Sequence, residues 1–393
     1  MSRRIPILFI DKEGGWGGSS RSLYYLIQGL DRDKYAAKVW YKSVGPLSDK
    51  LAEIGIESRH VPSICSIIPR KSKNWKIWLV NAVKLLRLPE LARQIKADES
   101  RIVHLNYEGL IPLLAVLRFV GCRKKIVVHF RTPSPPNYIY RVYAKIVNSS
   151  ADYLIFITEN EKSIASMAGI DLSLKAHRVL NNPLDREYFE ERKIDKSYGQ
   201  PVRLLFLGAI DWIKGADRLV DLAHEIRRRG INARIDAFGQ SPRYKKFFVF
   251  RRNTLIALQR KVEREGLGDV IRFHGYTRDP LGELRKADLL IRPSRFNDPW
   301  GRDVLESLAV GVPIIATGDY DWFVRPGQTG YLMPQWDVSK CAEIIANLAA
   351  DRDQLAGLSA TARDLAKELL NPSRYAQVMD QIYSNLLAEI DGC

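Results

Sequence analysis

The 393 residues, 46% hydrophobic and 27% charged, have the balance of a folded soluble protein, and their number exceeds the ~250 to 300 at which single cores stop growing, so two domains are expected. Four cysteines (Cys65, Cys122, Cys341 and Cys393), scattered without C-x-x-C spacing, argue against a disulfide framework or a zinc site and for a reducing compartment. The net charge of +16 is concentrated: residues 1–180 carry 29 Lys and Arg against 15 Asp and Glu, which asks for an acidic partner there, be it an anionic membrane surface, a phosphorylated lipid acceptor or nucleic acid.

The chain opens with the apolar run Ile5–Ile10, shorter than the ~7 to 15 residues of a signal-peptide core and closed by the charged Asp11-Lys12-Glu13, so it predicts a buried strand and a cytoplasmic protein. A glycine-rich loop follows, with Gly17 and Gly18 just before a helical pattern from Arg21; glycines between strand and helix let a phosphate approach the backbone. A strand over residues 37–41, a helix over 47–55 and a strand over 57–61 continue the alternation of a parallel, doubly wound sheet. Between Pro69 and Pro89, Lys71, Lys73 and Lys76 interleave with Trp75, Trp78 and aliphatic residues at near-helical spacing. That pattern fits an interfacial membrane binder and equally a helix packing its apolar face on the sheet. The longest apolar stretch elsewhere starts at Leu110 and stops at Arg118, short of the ~20 residues of a membrane span. Strands at 101–106 and 124–133 come next. The second places His129 at a carboxyl end, where open α/β sheets bind ligands, with Arg131 beside it as a candidate contact for an acceptor phosphate.

A strand over residues 151–157 ends in Thr158-Glu159, and the polar Lys193–Pro201 segment reads as a hinge. Beyond it a strand from Val202 ends at Gly208, and Lys214-Gly215 precede a helix. A strand over 231–238 ends at Gly239, and Ser241–Arg252 is a basic aromatic insertion, weak as a nucleic-acid patch without a recognised module. The stretch Asp298-Pro299-Trp300-Gly301-Arg302-Asp303-Val304-Leu305-Glu306 then sets a carboxylate on a turn and a second one eight residues later in a helix that ends at Gly311. The free amides at that helix start suit an anion, and the two carboxylates suit hydroxyls on either side of it.

This stretch, with Ala287–Arg295 before it and Pro313–Thr317 after it, resembles the nucleotide-sugar motif of the retaining glycosyltransferases of family 4, the group 1 type with two Rossmann-like domains and a terminal helix crossing back to the first. The family motif is Glu, seven residues, Glu; here Asp298 replaces the first Glu. The resemblance implies that Asp298 contacts the donor hexose and Glu306 the ribose, with Pro299, Trp300, Gly301 and Arg302 lining the donor site. It also implies that His129 lies next to the transferred sugar, that Gly17 and Gly18 lie beside the donor phosphates across a cleft, and that Lys214 clamps the diphosphate with Gly208 and Gly239 nearby. The clamping Arg of the family is Ala209 here, leaving Arg243, Arg295 or Arg302 to compensate. Asn182, Asp185 and Phe189 keep the family's linker pattern, with Pro183 in place of its Gly.

The expected architecture is therefore an α/β protein of GT-B type: residues 1–192 bind the acceptor, 200–370 the donor, and 371–393 form the returning helix. The expected function is a retaining hexosyltransferase with catalysis on Asp298, His129 and Lys214, without metal or other cofactor. It would serve a saccharide or polyprenyl-diphosphate-linked acceptor in cell-surface polysaccharide synthesis, at the inner face of the membrane. Asp31-Arg32-Asp33 matches a metal-binding D-x-D string but lies beyond the first helix. A nucleotide-sugar 2-epimerase shares the architecture but has no use for a basic acceptor surface. A nucleic-acid binder would explain the charge, but not Gly17, Gly18, His129, Lys214, Asp298 and Glu306 together.

Overall fold

A computed structural model describes residues 4–67, 83, 85–131, 137–190, 200–241, 254–297 and 300–391. The chain divides into two compact units, Met1–Pro183 with Pro372–Cys393, and Leu184–Asn371. Residues 193–199 of the hinge expected over Lys193–Pro201 lie outside the described residues, as do Asp298, Pro299, Arg243 and the Lys71, Lys73, Trp75 and Lys76 cluster.

The first unit is a seven-stranded parallel sheet. Its strands are β1 (Ile5–Asp11), β2 (Tyr35–Tyr41), β3 (Glu57–His60), β4 (Ile102–Leu105), β5 (Lys125–Phe130), β6 (Tyr153–Phe156) and β7 (Ala176–Val179), in the order β3-β2-β1-β4-β5-β6-β7. The order reverses at β1, so the loops after β1 and β4 diverge and leave a crevice at their carboxyl ends. Central strands are apolar on both faces because helices cover both. Leu8, Ile10, Val103, Leu105, Ile126 and Val128 face one core, packed under α3 (Leu88–Ala97), α4 (Ile111–Phe119) and α5 (Tyr138–Ser150). Ile7, Phe9, Ile102, Val127 and Ile155 face the other, under α1 (Gly18–Gly29) and the C-terminal helix. Helix α2 (Pro46–Glu53) completes this side and α6 (Glu159–Met167) follows β6.

The second unit is a six-stranded parallel sheet of β8 (Val202–Leu207), β9 (Ala233–Phe238), β10 (Ile271–Gly275), β11 (Leu289–Arg292), β12 (Ile314–Thr317) and β13 (Gly330–Met333), in the order β10-β9-β8-β11-β12-β13. One face packs under α7 (Arg218–Arg228), α8 (Thr254–Arg264) and α11 (Val338–Ala350). The other packs under α9 (Pro280–Lys286), α10 (Arg302–Val310) and α12 (Arg352–Leu370). The last helix, α13 (Pro372–Asp391), belongs to the first unit and packs on α1, burying Tyr375, Met379, Tyr383, Leu386 and Leu387.

Candidate functional site

In the second unit the site grows from three strand ends. Gly239 stands at φ +155 and a Cβ on it would lie 1.6 Å from the Gly208 carbonyl oxygen, so the ends of β8 and β9 close to a distance only glycine permits. Hydrogen bonds from Gly208 N to Phe238 O (3.1 Å) and from Gly239 N to Gly275 O (2.7 Å) carry the pairing to its edge. Directly after Gly208 the chain turns on Asp211, whose Oδ1 accepts from the Lys214 amide at 2.8 Å, the local side-chain turn that Asp favours. Gly215 is left-handed, φ +72, and a Cβ there would lie 1.9 Å from the Pro293 carbonyl oxygen. The Lys214 turn is thus pinned between Asp211 and the end of β11.

The same end of β11 holds the helix start. Arg292, 3% exposed, donates from Nε to Asp303 Oδ2 at 2.8 Å, and a Cβ on Gly301 would lie 2.6 Å from Arg292 Nη2 and 2.3 Å from Asp303 Oδ1. A side chain at 301 would therefore have to displace the Arg292–Asp303 pair. Gly301 caps α10 without a side chain, which leaves the first helix amides uncovered by a capping group. One turn in, Glu306 is 5% exposed and accepts from Arg302 Nε at 2.8 Å. Trp300 packs edge-on against Tyr320, ring centroids 5.1 Å apart. Arg292 and Pro293, adjacent residues, so support both the Lys214 turn and the start of α10.

Of the cations named as substitutes for the missing Arg at 209, Arg295 is committed elsewhere. Its guanidinium pairs with both Asp217 oxygens (2.8 and 2.7 Å) and lies over Trp212, 4.5 Å from the ring centroid. Burial pushes the Asp217 carboxyl up, and Arg295 pulls it further down, to below its ordinary value. Arg302 serves Glu306.

In the first unit α1 begins at Gly18 with Gly17 as its cap, three residues earlier than the sequence pattern at Arg21 indicates. A Cβ on Gly18 would meet nothing within 4 Å and one on Gly17 only Glu13 Oε2 at 3.7 Å, whereas one on Gly14 would lie 1.7 Å from Ser43 O. Packing thus demands glycine at 14; at 17 and 18 its effect is to leave the backbone bare. Behind this loop runs a buried polar chain. Asp11 accepts from Ser20 Oγ (2.9 Å) and Asn106 Nδ2 (2.8 Å), and Asn106 in turn accepts from Arg131 through its backbone oxygen (3.0 Å) and Oδ1 (2.6 Å). Arg131 also donates to Asn182 Oδ1 (2.6 Å) and from Nη2 to His129 Nδ1 (3.3 Å), and its backbone amide donates to Glu108 Oε2 (3.0 Å).

One expectation changes here. Arg131 is not available to an acceptor phosphate: it is 6% exposed and its guanidinium is used by Asn106, Asn182 and His129. His129 stands next to last in β5, at the carboxyl end the sequence indicates, and is fully buried, with ring neighbour His104 at 5.6 Å between centroids. Burial, and then the Arg131 charge, hold the His129 imidazole well below its ordinary value; the same causes bring His104 down to about 3. Asp11, Asn106, His104 and the tyrosines of α13 were not marked by the sequence, because their partners lie far along the chain: Tyr383 meets His104 Nδ1 at 2.7 Å, 279 positions away. An Asp closing the first strand before a glycine loop is the one local signal that could have drawn notice. Among the described residues no cluster of three or more His, Cys, Asp or Glu could hold a metal ion, and no helix is long and apolar enough to cross a membrane.

Residues 201–351 match the family model described as Glycosyl transferases group 1. The chain is 22% identical over 244 residues to the poly(glycerol-phosphate) alpha-glucosyltransferase of Bacillus subtilis (strain 168), covering 59% of this chain and 32% of that protein. It is 29% identical over 307 residues to the D-inositol 3-phosphate glycosyltransferase of Paenarthrobacter aurescens (strain TC1), covering 72% of each. Among solved structures, Anabaena Alr3699/HepE in complex with UDP superposes with a TM-score of 0.77 at 18% identity, covering 97% of this chain and 100% of that one. Residues 201–351 thus match the group 1 glycosyl transferases, and along nearly its whole length the chain shares the GT-B fold of such structures.

Proposed function

We propose that the protein is a retaining hexosyltransferase that uses a nucleoside-diphosphate sugar, with the nucleotide seated at the carboxyl ends of β8, β9 and β11. The observation that carries this reading is the shared support at Arg292 and Pro293, which sets a lysine turn and an uncapped helix start side by side, with a buried carboxylate one turn along that helix. An ammonium and helix-start amides that no side chain caps suit a diphosphate; a carboxylate beyond them suits ribose hydroxyls.

In the reaction the bond between the sugar anomeric carbon and the diphosphate oxygen breaks, an acceptor hydroxyl oxygen bonds to that carbon, and its proton passes to the departing phosphate. Charge grows on the leaving oxygen, and Lys214 with the first amides of α10 stabilises it there. Asp298 contacts the transferred hexose, and no metal is required by this arrangement. The acceptor is a saccharide, free or lipid-linked, of the kind built into cell-surface polysaccharide, and the basic half of the chain holds the protein at an anionic membrane face.

A thermal-shift screen with UDP, GDP and their sugars tests the donor half of this reading. At least one nucleotide sugar is expected to raise the melting temperature in a concentration-dependent way. No shift with any of them at millimolar concentration would contradict it.

A further inference from the structure

Arg131 has only donors, since a guanidinium carries no acceptor. Its Nη2 lies 3.3 Å from His129 Nδ1, so that ring nitrogen must present its lone pair and the ring proton must sit on Nε2. The Nε2 atom is fully buried and has no hydrogen-bond partner among the described residues. The cation is itself held in place from three sides, by Asn106, Asn182 and the Glu108 carboxylate on its backbone amide.

We propose that Arg131 is a positioning residue that locks His129 as the neutral Nε2–H tautomer, so that His129 meets its ligand as a hydrogen-bond donor to an oxygen lone pair and not as a base. This rests on the reading of His129 as a sugar-facing residue and deepens it. A buried imidazole next to a fixed cation cannot take a proton cheaply, and an unpaired buried N–H is unfavourable until an acceptor arrives, which makes a sugar hydroxyl oxygen or a phosphate oxygen the ligand chemistry that fits. Arg131 after β5 and His104 on β4 act in the same direction, and Tyr383 and Tyr375 on α13 are uncharged phenols; the carboxylates of Asp11 at the end of β1 and of Glu108 on the Arg131 backbone amide oppose them from behind the Arg131 cation. Asp11 reaches Arg131 only through Asn106.

Nitrogen-15 NMR of histidine-labelled protein reads the tautomer directly, with the His129 signals assigned by their loss in His129→Gln. The free protein is expected to show a protonated Nε2 and a bare Nδ1 throughout about pH 5 to 8. A proton on Nδ1, or an imidazolium in that range, overturns the proposal. Arg131→Met should mix the tautomers and bring a new break into the pH profile of turnover, while Arg131→Lys, which keeps a cationic donor, should restore the single tautomer. A purely structural Arg131 would lower the melting temperature of Arg131→Met and leave the His129 tautomer unchanged, which also overturns it. Should Arg131→Met fail to fold, the wild-type and Arg131→Lys spectra decide. Addition of whichever of UDP-glucose, UDP-N-acetylglucosamine or GDP-mannose binds should move the Nε2–H resonance; a bound nucleotide sugar that leaves it in place refutes the donor role. If none binds, the donor reading fails by itself, and the tautomer is still scored on the free protein.

Discussion

Glu306 is a carboxylate with almost no exposure and one guanidinium, Arg302, already on it. A charge-assisted bond to a ribose hydroxyl contributes ~1.5–3 kcal/mol. Glu306→Gln should therefore weaken binding of the free nucleoside diphosphate by roughly tenfold to a hundredfold, whereas Asp298→Asn should leave that affinity intact and lower turnover with the full nucleotide sugar. Equal loss of free-nucleotide affinity in both, measured by calorimetry, would show that the two carboxylates do not divide the ligand between them. Lys214, Glu306 and the glycines at 208, 239 and 301 were legible because each sits in a local pattern of strand end, turn and helix start. The Arg292–Asp303 pair and the Asp11-Asn106-Arg131-His129 chain were not, because tertiary pairing between distant positions leaves no period in the sequence. Gly17 and Gly14 illustrate the difference: the sequence shows both as loop glycines, and only the neighbours separate one demanded by packing from one that leaves backbone bare.

Among the elements, the strand and helix alternation was readable from apolar runs and glycine turns, and the terminal helix from the family resemblance. What spacing could not show is that α13 carries polar work as well as apolar packing. Tyr383 closes over His104, so that a strand and the last helix share a buried neutral imidazole. This makes stability depend on pH. Unfolded, a histidine takes up a proton below its ordinary 6.5; folded, burial and then Arg131 keep His104 neutral down to about 3, and His129 is shifted the same way. The unfolded state thus binds more protons across that window. The stabilisation is complete above 6.5 and is lost as pH falls towards 3, with a slope of up to ~1.4 kcal/mol per pH unit for each histidine. Urea unfolding midpoints should fall between about pH 7 and 5, and His104→Gln should show the shallower slope. A flat dependence in the wild type would mean that the imidazoles are hydrated and protonate in the folded protein.

For the whole molecule, the charge excess of residues 1–180 was evident from counting, while its purpose depends on what it touches. Each basic residue near an anionic lipid surface contributes about 1 kcal/mol, and tryptophans settle at the headgroup boundary. The protein should therefore float with anionic and not with neutral liposomes. Flotation should fall with added salt and with replacement of Lys71, Lys73, Lys76 and Trp75. Indifference to anionic vesicles at low salt would favour a soluble acidic acceptor instead. The claim on which the functional account rests is narrower: a diphosphate binds where Lys214 and the start of α10 share their support. Calorimetric titration of UDP and GDP into the wild type and Lys214→Ala tests it most directly. At least one of the two should bind the wild type, and Lys214→Ala should weaken it by about 1.5–3 kcal/mol, the worth of a charge-assisted contact. Unchanged affinity in Lys214→Ala would contradict the account.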